Sequence, residues 1–183
     1  MHATPTTLPE VLVVEPTVHR DARGLFAETY RIDAYRALGI EDTFVQDNHS
    51  QSARGTVRDL HLQVRHPQAK LIRVVAGRIY DVAVDLRRGS PRFGRWVAVE
   101  LSAENWKQCY IPTGFGHGYA VLSDTAIVEY KCSDYYDPEG EIAVAWNDPA
   151  FAIEWPVTDP VLSARDQRAL RLDGVMGRLP AFA

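Results

Sequence analysis

The chain has 183 residues, of which 46% are hydrophobic and 24% charged, and its formal net charge is −4. This length suits one packed domain, so we expect residues 1–183 to form a single unit, with a core over about 11–160 and a tail over 161–183. The negative charge, with no basic block, argues against binding to nucleic acid. No apolar run approaches the roughly 20 residues of a membrane span.

The two cysteines, Cys109 and Cys132, form neither a disulfide framework nor a zinc motif, so we expect both to be reduced and packed. The first residues lack the basic segment and apolar run of a secretory signal. The cytoplasm is therefore the expected compartment.

Short strands separated by glycine, proline and aspartate dominate the first part of the chain. Val11–Val18 is rich in β-branched residues and is interrupted by Pro16, which favours an edge position. A turn leads into a predicted strand at Leu25–Tyr30. The sequence predicts one helix at Asp33–Gly39, with Asp33 as its N-cap.

The middle of the chain continues this pattern. Lys70–Ala76 and Ile79–Leu86, which flank a Gly-Arg turn, predict a hairpin whose second arm alternates between two faces. Gly114–Gly118 is interpreted as a turn, because its glycine spacing does not match a dinucleotide-binding loop. Further strands are predicted at Phe44–Ser50, Thr56–Gln63, Arg95–Leu101, Gln108–Pro112, Gly118–Leu122, Ala126–Lys131 and Ile142–Trp146.

This spacing predicts an all-β sandwich or barrel, with one more short helix around Ala164–Leu172. Within it, Thr56–Gln63 looks like a buried strand but carries Arg58, Asp59 and His61, which are costly to bury without partners. Such a strand lines a site, or it is an edge strand with polar residues facing water. Arg58 and His61 would face opposite sides of a regular strand, so both reach one pocket only if the strand is bulged or twisted.

Other polar residues also lie on strand-like segments, and as a group they indicate a site in a small β domain. They are Arg23, Glu28, Gln46, Asp47, Asn48, Lys70, His117 and Tyr130. No serine-hydrolase, phosphate-loop or zinc-protease motif is present. A metal site built from the scattered His49, His61 and His117 is the weaker interpretation.

Several segments in order along the chain resemble those of the dTDP-4-dehydrorhamnose 3,5-epimerases, from about Val11 to Asp166. They are Arg23-Gly24, Phe44–Ser50, Val57–Gln63, Gly89–Pro91, Phe93-Gly94, Leu101–Asn105, Ile111–Gly118, Tyr130–Tyr136 and Trp146–Pro149. The resemblance implies a cupin-type jelly roll with short peripheral helices, a homodimer with strand exchange, and no metal or organic cofactor. The implied reaction inverts C3 and C5 of a dTDP-4-keto-6-deoxyhexose, from dTDP-4-dehydro-6-deoxy-D-glucose to dTDP-4-dehydro-L-rhamnose.

The resemblance also implies roles for individual residues. His61 matches the family's base, Asp166 in the tail matches the carboxylate paired with it, Tyr130 matches the acid on the other face of the sugar, and Lys70 matches the cation that stabilises the enolate. Arg23 and Arg58 match diphosphate contacts. The other positions that match substrate-binding residues are Phe26, Glu28, Gln46, Asp47, Asn48, His117, Tyr136 (stacked on thymine), Glu141 and Arg165.

The chain departs from the family at three positions. Asp59 stands where glycine is usual, Leu62 where an aromatic residue is usual, and Gly116 where alanine is common. Asp59 would resist a bulge and would add negative charge beside the base. Three alternatives therefore stay open: an epimerase that inverts one centre, a silent cupin that binds nucleotide sugars, and a metal-dependent cupin.

Overall fold

The computed structural model describes residues 1–182, and within them it contains thirteen strands and two short α-helices. The strands are β1 (His2–Pro5), β2 (Leu12–Glu15), β3 (Val18–Asp21), β4 (Gly24–Ala27), β5 (Gln46–Ala53), β6 (Val57–Gln63), β7 (Lys70–Ala76), β8 (Arg78–Asp85), β9 (Trp96–Ser102), β10 (Gln108–Ile111), β11 (Phe115–Val121), β12 (Thr125–Cys132) and β13 (Glu141–Val144). The α-helices are α1 (Ile32–Arg36) and α2 (Leu172–Val175), and single 3-10 turns lie at Asp166–Arg168 and Met176–Arg178.

Two antiparallel sheets pack face to face. One has the order β1-β2-β10-β7-β12-β5, the other has the order β13-β6-β11-β8-β9, and β3 and β4 form a separate hairpin. Buried side chains from both sheets fill the space between them, including Ile72, Val128, Leu101 and Phe115. Removing this apolar surface from water stabilises the sandwich. The prediction of an all-β fold is confirmed, and no helix among the described residues is long and apolar enough to span a bilayer.

The C-terminal segment covers the outer face of the five-stranded sheet. Leu172, Val175 and Leu179 pack there against a buried cluster that includes Val82 and Val84 of β8. The predicted alternation of β8 is confirmed, because its even-numbered residues face this segment and its odd-numbered residues face the other sheet. This packing fixes the tail against the sheet and brings Asp166 next to His61 of β6.

The predicted hairpin between β7 and β8 is wrong. β7 pairs with β10 and β12, whereas β8 pairs with β9 and β11, so the two strands belong to different sheets. Gly77 turns the chain from one sheet to the other with φ of 75°, and a Cβ atom there would lie 2.1 Å from the carbonyl oxygen of Thr125. The glycine is required by a corner between sheets rather than by a hairpin turn.

The predicted turn at Gly114–Gly118 is also wrong. Residues 115–121 form β11, which is buried along its whole length between β6 and β8. A Cβ atom on Gly118 would lie 2.6 Å from the carbonyl oxygen of Arg58, so glycine is needed where the backbones of β11 and β6 approach closely. Glycine in this stretch marks close packing of strands.

Element boundaries near the N-terminus differ from the prediction. The segment around Pro16 forms two strands, β2 and β3, rather than one, because proline cannot donate to the ladder. Arg31 is the N-cap of α1, and Asp33, predicted as the cap, lies in its first turn 2.7 Å from Nε of Arg31. The strand predicted at Leu25–Tyr30 ends at Ala27.

The predicted helix at Ala164–Leu172 is not continuous. A 3-10 turn and α2 replace it, and Leu170 between them forms a parallel bridge with Val144 of β13. This pairing pulls the backbone out of helical geometry. The tail is therefore tied to the sheet by hydrogen bonds as well as by apolar contacts.

Candidate active site

A β-bulge in β6 brings both of its functional side chains to one cavity. His61 lies opposite His117 of β11, and Arg58 lies opposite Tyr119, so three steps along β6 match two along β11. The extra residue reverses the alternation between Arg58 and His61. The interpretation of this segment as an exposed edge strand is wrong, because β6 is hydrogen-bonded to strands on both sides.

The cavity has a volume of about 400 Å³ and is lined by both sheets and by the C-terminal segment. All four residues predicted to be catalytic line it, and so do four of those predicted to bind substrate. In chain order the eight are Arg58, His61, Lys70, His117, Tyr130, Glu141, Arg165 and Asp166.

His61 is held between two carboxylates. Its Nε2 lies 2.9 Å from Oδ1 of Asp166, and its Nδ1 lies 3.1 Å from Oε1 of Glu141. Burial lowers the pKa of His61, but the hydrogen bonds to Asp166 and Glu141 outweigh burial and raise it overall. Burial likewise opposes ionisation of both carboxyl groups, yet contact with His61 leaves their pKa values below the ordinary range. This arrangement favours an imidazolium that donates from both ring nitrogens.

Lys70 and Tyr130 face His61 from the six-stranded sheet. Lys70 lies on β7 and its Nζ donates to the carbonyl oxygen of His61 at 3.4 Å. Burial lowers the pKa of Lys70, and burial raises the pKa of Tyr130, on β12, to about 12. The Tyr130 phenol is therefore protonated near neutral pH and can donate a proton. The cavity has an ionisable base on one wall and a proton donor with a cation on the other.

His117 lies on β11, which is buried along its whole length. Its Nε2 is 2.7 Å from Oδ1 of Asp81, and the side chains of both residues are buried. Burial lowers the pKa of His117 despite the Asp81 carboxylate. His117 is therefore neutral, and this hydrogen bond fixes its ring in the wall of the cavity.

Three predicted binding residues form a network at the rim. The Tyr136 hydroxyl donates to Oε2 of Glu141 at 3.1 Å and accepts from Nη1 of Arg165 at 3.1 Å, and Arg165 also pairs with Glu141. Because Glu141 contacts His61 as well, the network joins the rim to the base. Tyr136 is half exposed and presents its ring to solvent.

The three adjacent residues predicted on β5 separate into two groups. Gln46 donates to Oδ1 of Asn48 at 3.1 Å and accepts from the backbone N–H of Tyr136 at 2.9 Å, so both lie next to the rim network. Asp47 points to the other side of the strand, where it pairs with Lys131 at 2.7 Å. Alternation along β5 explains the separation.

Three further predicted binding residues lie away from both the cavity and the rim network of their own chain. Arg23 and Phe26 belong to the β3–β4 hairpin, where Arg23 pairs with Asp21 at 2.6 Å and the Phe26 residue is 70% exposed. Glu28 follows the hairpin and pairs with Arg31 at 3.4 Å. The structure does not bring these three residues to His61 within one chain.

The structure adds lining residues that the sequence did not indicate. The Tyr119 hydroxyl lies 3.0 Å from Oγ of Ser50, and the Tyr119 ring lies 5.8 Å from the guanidinium of Arg58. Ser163 accepts from the backbone N–H of Asp166 at 3.1 Å and so fixes the turn that carries this carboxylate. Alternation from His117 would have found Tyr119 had the strand predicted at Gly118–Leu122 been extended back to Phe115. Among residues 1–182 no group of three or more His, Cys, Asp or Glu side chains is arranged to hold a metal ion.

Comparison with known proteins agrees with this geometry. A family model described as dTDP-4-dehydrorhamnose 3,5-epimerase matches residues 5–174. The enzyme of that name from Pseudomonas aeruginosa is 51% identical over 170 residues, which cover 92% of this chain and 94% of the relative.

Two solved structures extend the comparison. The Legionella pneumophila epimerase, in complex with dTDP-4-keto-L-rhamnose, superposes with a TM-score of 0.96 at 45% identity over 100% of this chain and 98% of that one. A 3'-monoepimerase from Streptomyces bikiniensis, in complex with dTDP-quinovose, has a TM-score of 0.90 at 36% identity and covers 99% and 93% of the two chains. The cupin-like jelly roll implied by the sequence is confirmed. The chain belongs to the dTDP-4-dehydrorhamnose 3,5-epimerase family of sugar epimerases.

Proposed function

We propose that this protein inverts C3 and C5 of a dTDP-4-keto-6-deoxyhexose, converting dTDP-4-dehydro-6-deoxy-D-glucose to dTDP-4-dehydro-L-rhamnose. The observation that carries the proposal is the placement of His61 and Tyr130 on opposite walls of one cavity. Inversion beside a ketone removes a proton from one face of the sugar and returns one to the other. A base and an acid on facing sheets meet this requirement.

His61 takes the proton from the carbon beside the ketone. Its resting proton must first leave, and its contact with Glu141 must open so that a ring nitrogen faces the sugar. Asp166, held by Ser163, then steadies the imidazolium that forms. A substrate that binds Tyr136 and Arg165 competes with the contacts that these residues make to Glu141. Binding at the rim is therefore coupled to the opening of the contact between Glu141 and His61.

Lys70 stabilises the enolate oxygen as charge develops on it. A mismatch of about ten pKa units between carbanion and imidazolium represents roughly 14 kcal/mol, and a fixed cation at the oxyanion typically supplies the largest part of such a gap. Tyr130 then donates its phenolic proton to the opposite face and recovers it from solvent. These steps use side chains of the protein and protons exchanged with solvent.

Nucleotide binding involves the rim. Arg58, exposed at the mouth, suits the diphosphate because a guanidinium can bind phosphate oxygens in a bidentate manner. Tyr136 presents a half-exposed ring for stacking on thymine, flanked by Gln46 and Asn48.

A homodimer would complete the nucleotide site. Leu25 and Phe26 are 47% and 70% exposed on the β3–β4 hairpin, and such apolar surface favours a partner. We infer that the hairpin reaches the cavity of a second copy and delivers Arg23, Phe26 and Glu28 there. With both cysteines free and buried, we also infer that the enzyme works in the cytoplasm.

The test is turnover of the 4-keto sugar in deuterated buffer, with the product analysed by NMR. Double inversion predicts deuterium at both C3 and C5. Deuterium at one carbon alone would support the narrower alternative, which the similarity to a 3'-monoepimerase favours. Binding of dTDP without any deuterium in the sugar would identify a silent nucleotide-sugar-binding protein and contradict both. Undiminished turnover in His61→Ala would show that another group is the base.

A further inference from the structure

A buried carboxyl group in the bulge of β6 takes no part in the steps above. Asp59 is 1% exposed, lines the cavity and lies two residues before His61. Within residues 1–182, neither of its carboxylate oxygens has a hydrogen-bond partner. Buried carboxylates are nearly always paired, hydrogen-bonded or protonated. At Asp59, the geometry therefore favours the protonated form.

The charges around Asp59 are those of the proposed base. Burial and the Asp166 carboxylate raise the pKa of Asp59 to about 7, although His61 and, more weakly, the backbone N–H of Trp146, which lies outside hydrogen-bond geometry, act in the opposite direction. The other ionisable groups that face this cavity come from β6 itself, from four further strands and from the tail. They are Arg58 of β6, Lys70 of β7, His117 and Tyr119 of β11, Tyr130 of β12, Glu141 of β13 and Arg165 of the tail.

We propose that Asp59 is a positioning residue that gains and loses its proton in step with the His61–Asp166 pair, so that its charge determines how firmly His61 holds a proton. This proposal rests on the proposed role of His61 as the base. Because both carboxyl oxygens of Asp59 are shielded from solvent, Asp59 acts through His61 rather than by contact with the sugar. Relatives with glycine at this position would lack this carboxyl group.

The electrostatic consequence depends on pH. Below about pH 6, Asp59 is neutral and His61 loses its proton as it would with only Asp166 and Glu141 beside it. Above about pH 7, Asp59 ionises, and its negative charge makes His61 retain the proton to higher pH and makes the freed imidazole a stronger base. The two groups therefore titrate as a coupled set, with a broadened acid limb.

The kinetic test compares pH profiles of kcat/KM for dTDP-4-dehydro-6-deoxy-D-glucose in the wild type, Asp59→Asn and Asp59→Gly. The profiles should coincide below about pH 6. Both variants should be about threefold faster between pH 7 and 8 and slower than the wild type above pH 9. Asp124→Asn, which removes the same charge from a side chain that is 95% exposed, should follow the wild type throughout. Profiles that superimpose at every pH would overturn the proposal.

An NMR titration of the His61 ring, without substrate, gives a readout independent of activity. Its midpoint should fall in both Asp59 variants and stay in place in Asp124→Asn. Equal midpoints in all four proteins would overturn the proposal even if the Asp59 variants lost activity through altered packing. If neither Asp59 variant folds, the carboxyl ¹³C signal of wild-type Asp59 decides: a midpoint near 7 supports the proposal, and one below 5 contradicts it. Turnover that survives His61→Ala would instead reject the proposed base, a separate outcome.

Discussion

The two walls of the cavity tune their ionisable groups by different physical means. At His61, on the five-stranded sheet, charge dominates, because the carboxylates of Asp166 and Glu141 raise its pKa against the effect of burial, whereas burial governs His117 and Asp59 on the same wall. On the six-stranded sheet, desolvation dominates, since burial lowers the pKa of Lys70 and raises that of Tyr130. The comparison shows that nearby negative charges raise the pKa of a base, whereas burial away from water keeps a proton donor protonated.

Lys70→Met tests the six-stranded sheet, where desolvation governs the pKa values. Among the substitutions of this comparison we expect it to have the largest effect. Methionine keeps the length and apolar stem but removes the charge at the developing oxyanion. We expect kcat to fall by about 10²–10³-fold with KM nearly unchanged. Steady-state kinetics measure both constants, and Lys107→Met, at a residue that does not line the cavity, serves as the control. A large rise in KM with kcat intact would assign Lys70 to binding.

Asp166→Asn tests the wall governed by charge. The amide keeps the size of the side chain and an oxygen near Nε2 of His61, but it removes the charge that stabilises the imidazolium. We expect kcat to fall by about 10²-fold and the midpoint of His61 to fall in an NMR titration. Asp173→Asn, an exposed change in the same tail, should alter neither.

Asp59→Asn should show by how much the buried carboxyl group of Asp59 lowers the free energy of unfolding. The pKa of Asp59 is raised to about 7 from an ordinary 3.8, so the unfolded state gains by ionising it as pH rises above 4, and the native state does not until pH 7. Removing the carboxyl should therefore stabilise the protein by up to roughly 3–4 kcal/mol at pH 8 and very little at pH 4. Denaturant unfolding at the two pH values measures this; equal effects would contradict the shift.

Glu141→Gln removes the second carboxylate beside His61, and we expect a smaller effect. The contact between Glu141 and Nδ1 of His61 loses its charge, so the pKa of His61 should fall and the acid limb of the rate profile should move to lower pH. Near pH 6 we expect a change in kcat/KM of only several-fold, because Asp166 remains. A profile that keeps its shape while KM rises would limit Glu141 to the nucleotide network.

The sequence predicted the all-β class and both walls of the site, because alternation and costly polar residues are local signals. His61, Lys70 and Tyr130 were found in this way together with the family resemblance. The pairing of strands was not predictable, since nothing local in residues 70–86 distinguishes a hairpin from a crossing between sheets. Glycines at 114–118 misled for a similar reason, because a close approach of two backbones and a turn both require glycine.

Asp59 shows how a need for glycine at one position can be met by a glycine on a neighbouring strand. The bulge that glycine would have eased is formed in β6 all the same, with Gly118 of β11 giving the room. The consequence is a buried carboxyl group that has no hydrogen-bond partner and whose pKa is raised. A single sequence does not reveal such compensation, because the two residues lie on different strands.

The most direct test of opposed base and acid is deuterium exchange in two variants that remove one wall at a time. With Tyr130→Phe in deuterated buffer, His61 should still exchange the sugar proton, so deuterium should enter with retention of configuration while inversion slows by about 10²-fold. With His61→Ala, both exchange and inversion should be lost. Inversion at the wild-type rate in Tyr130→Phe, or exchange at the wild-type rate in His61→Ala, would contradict the account.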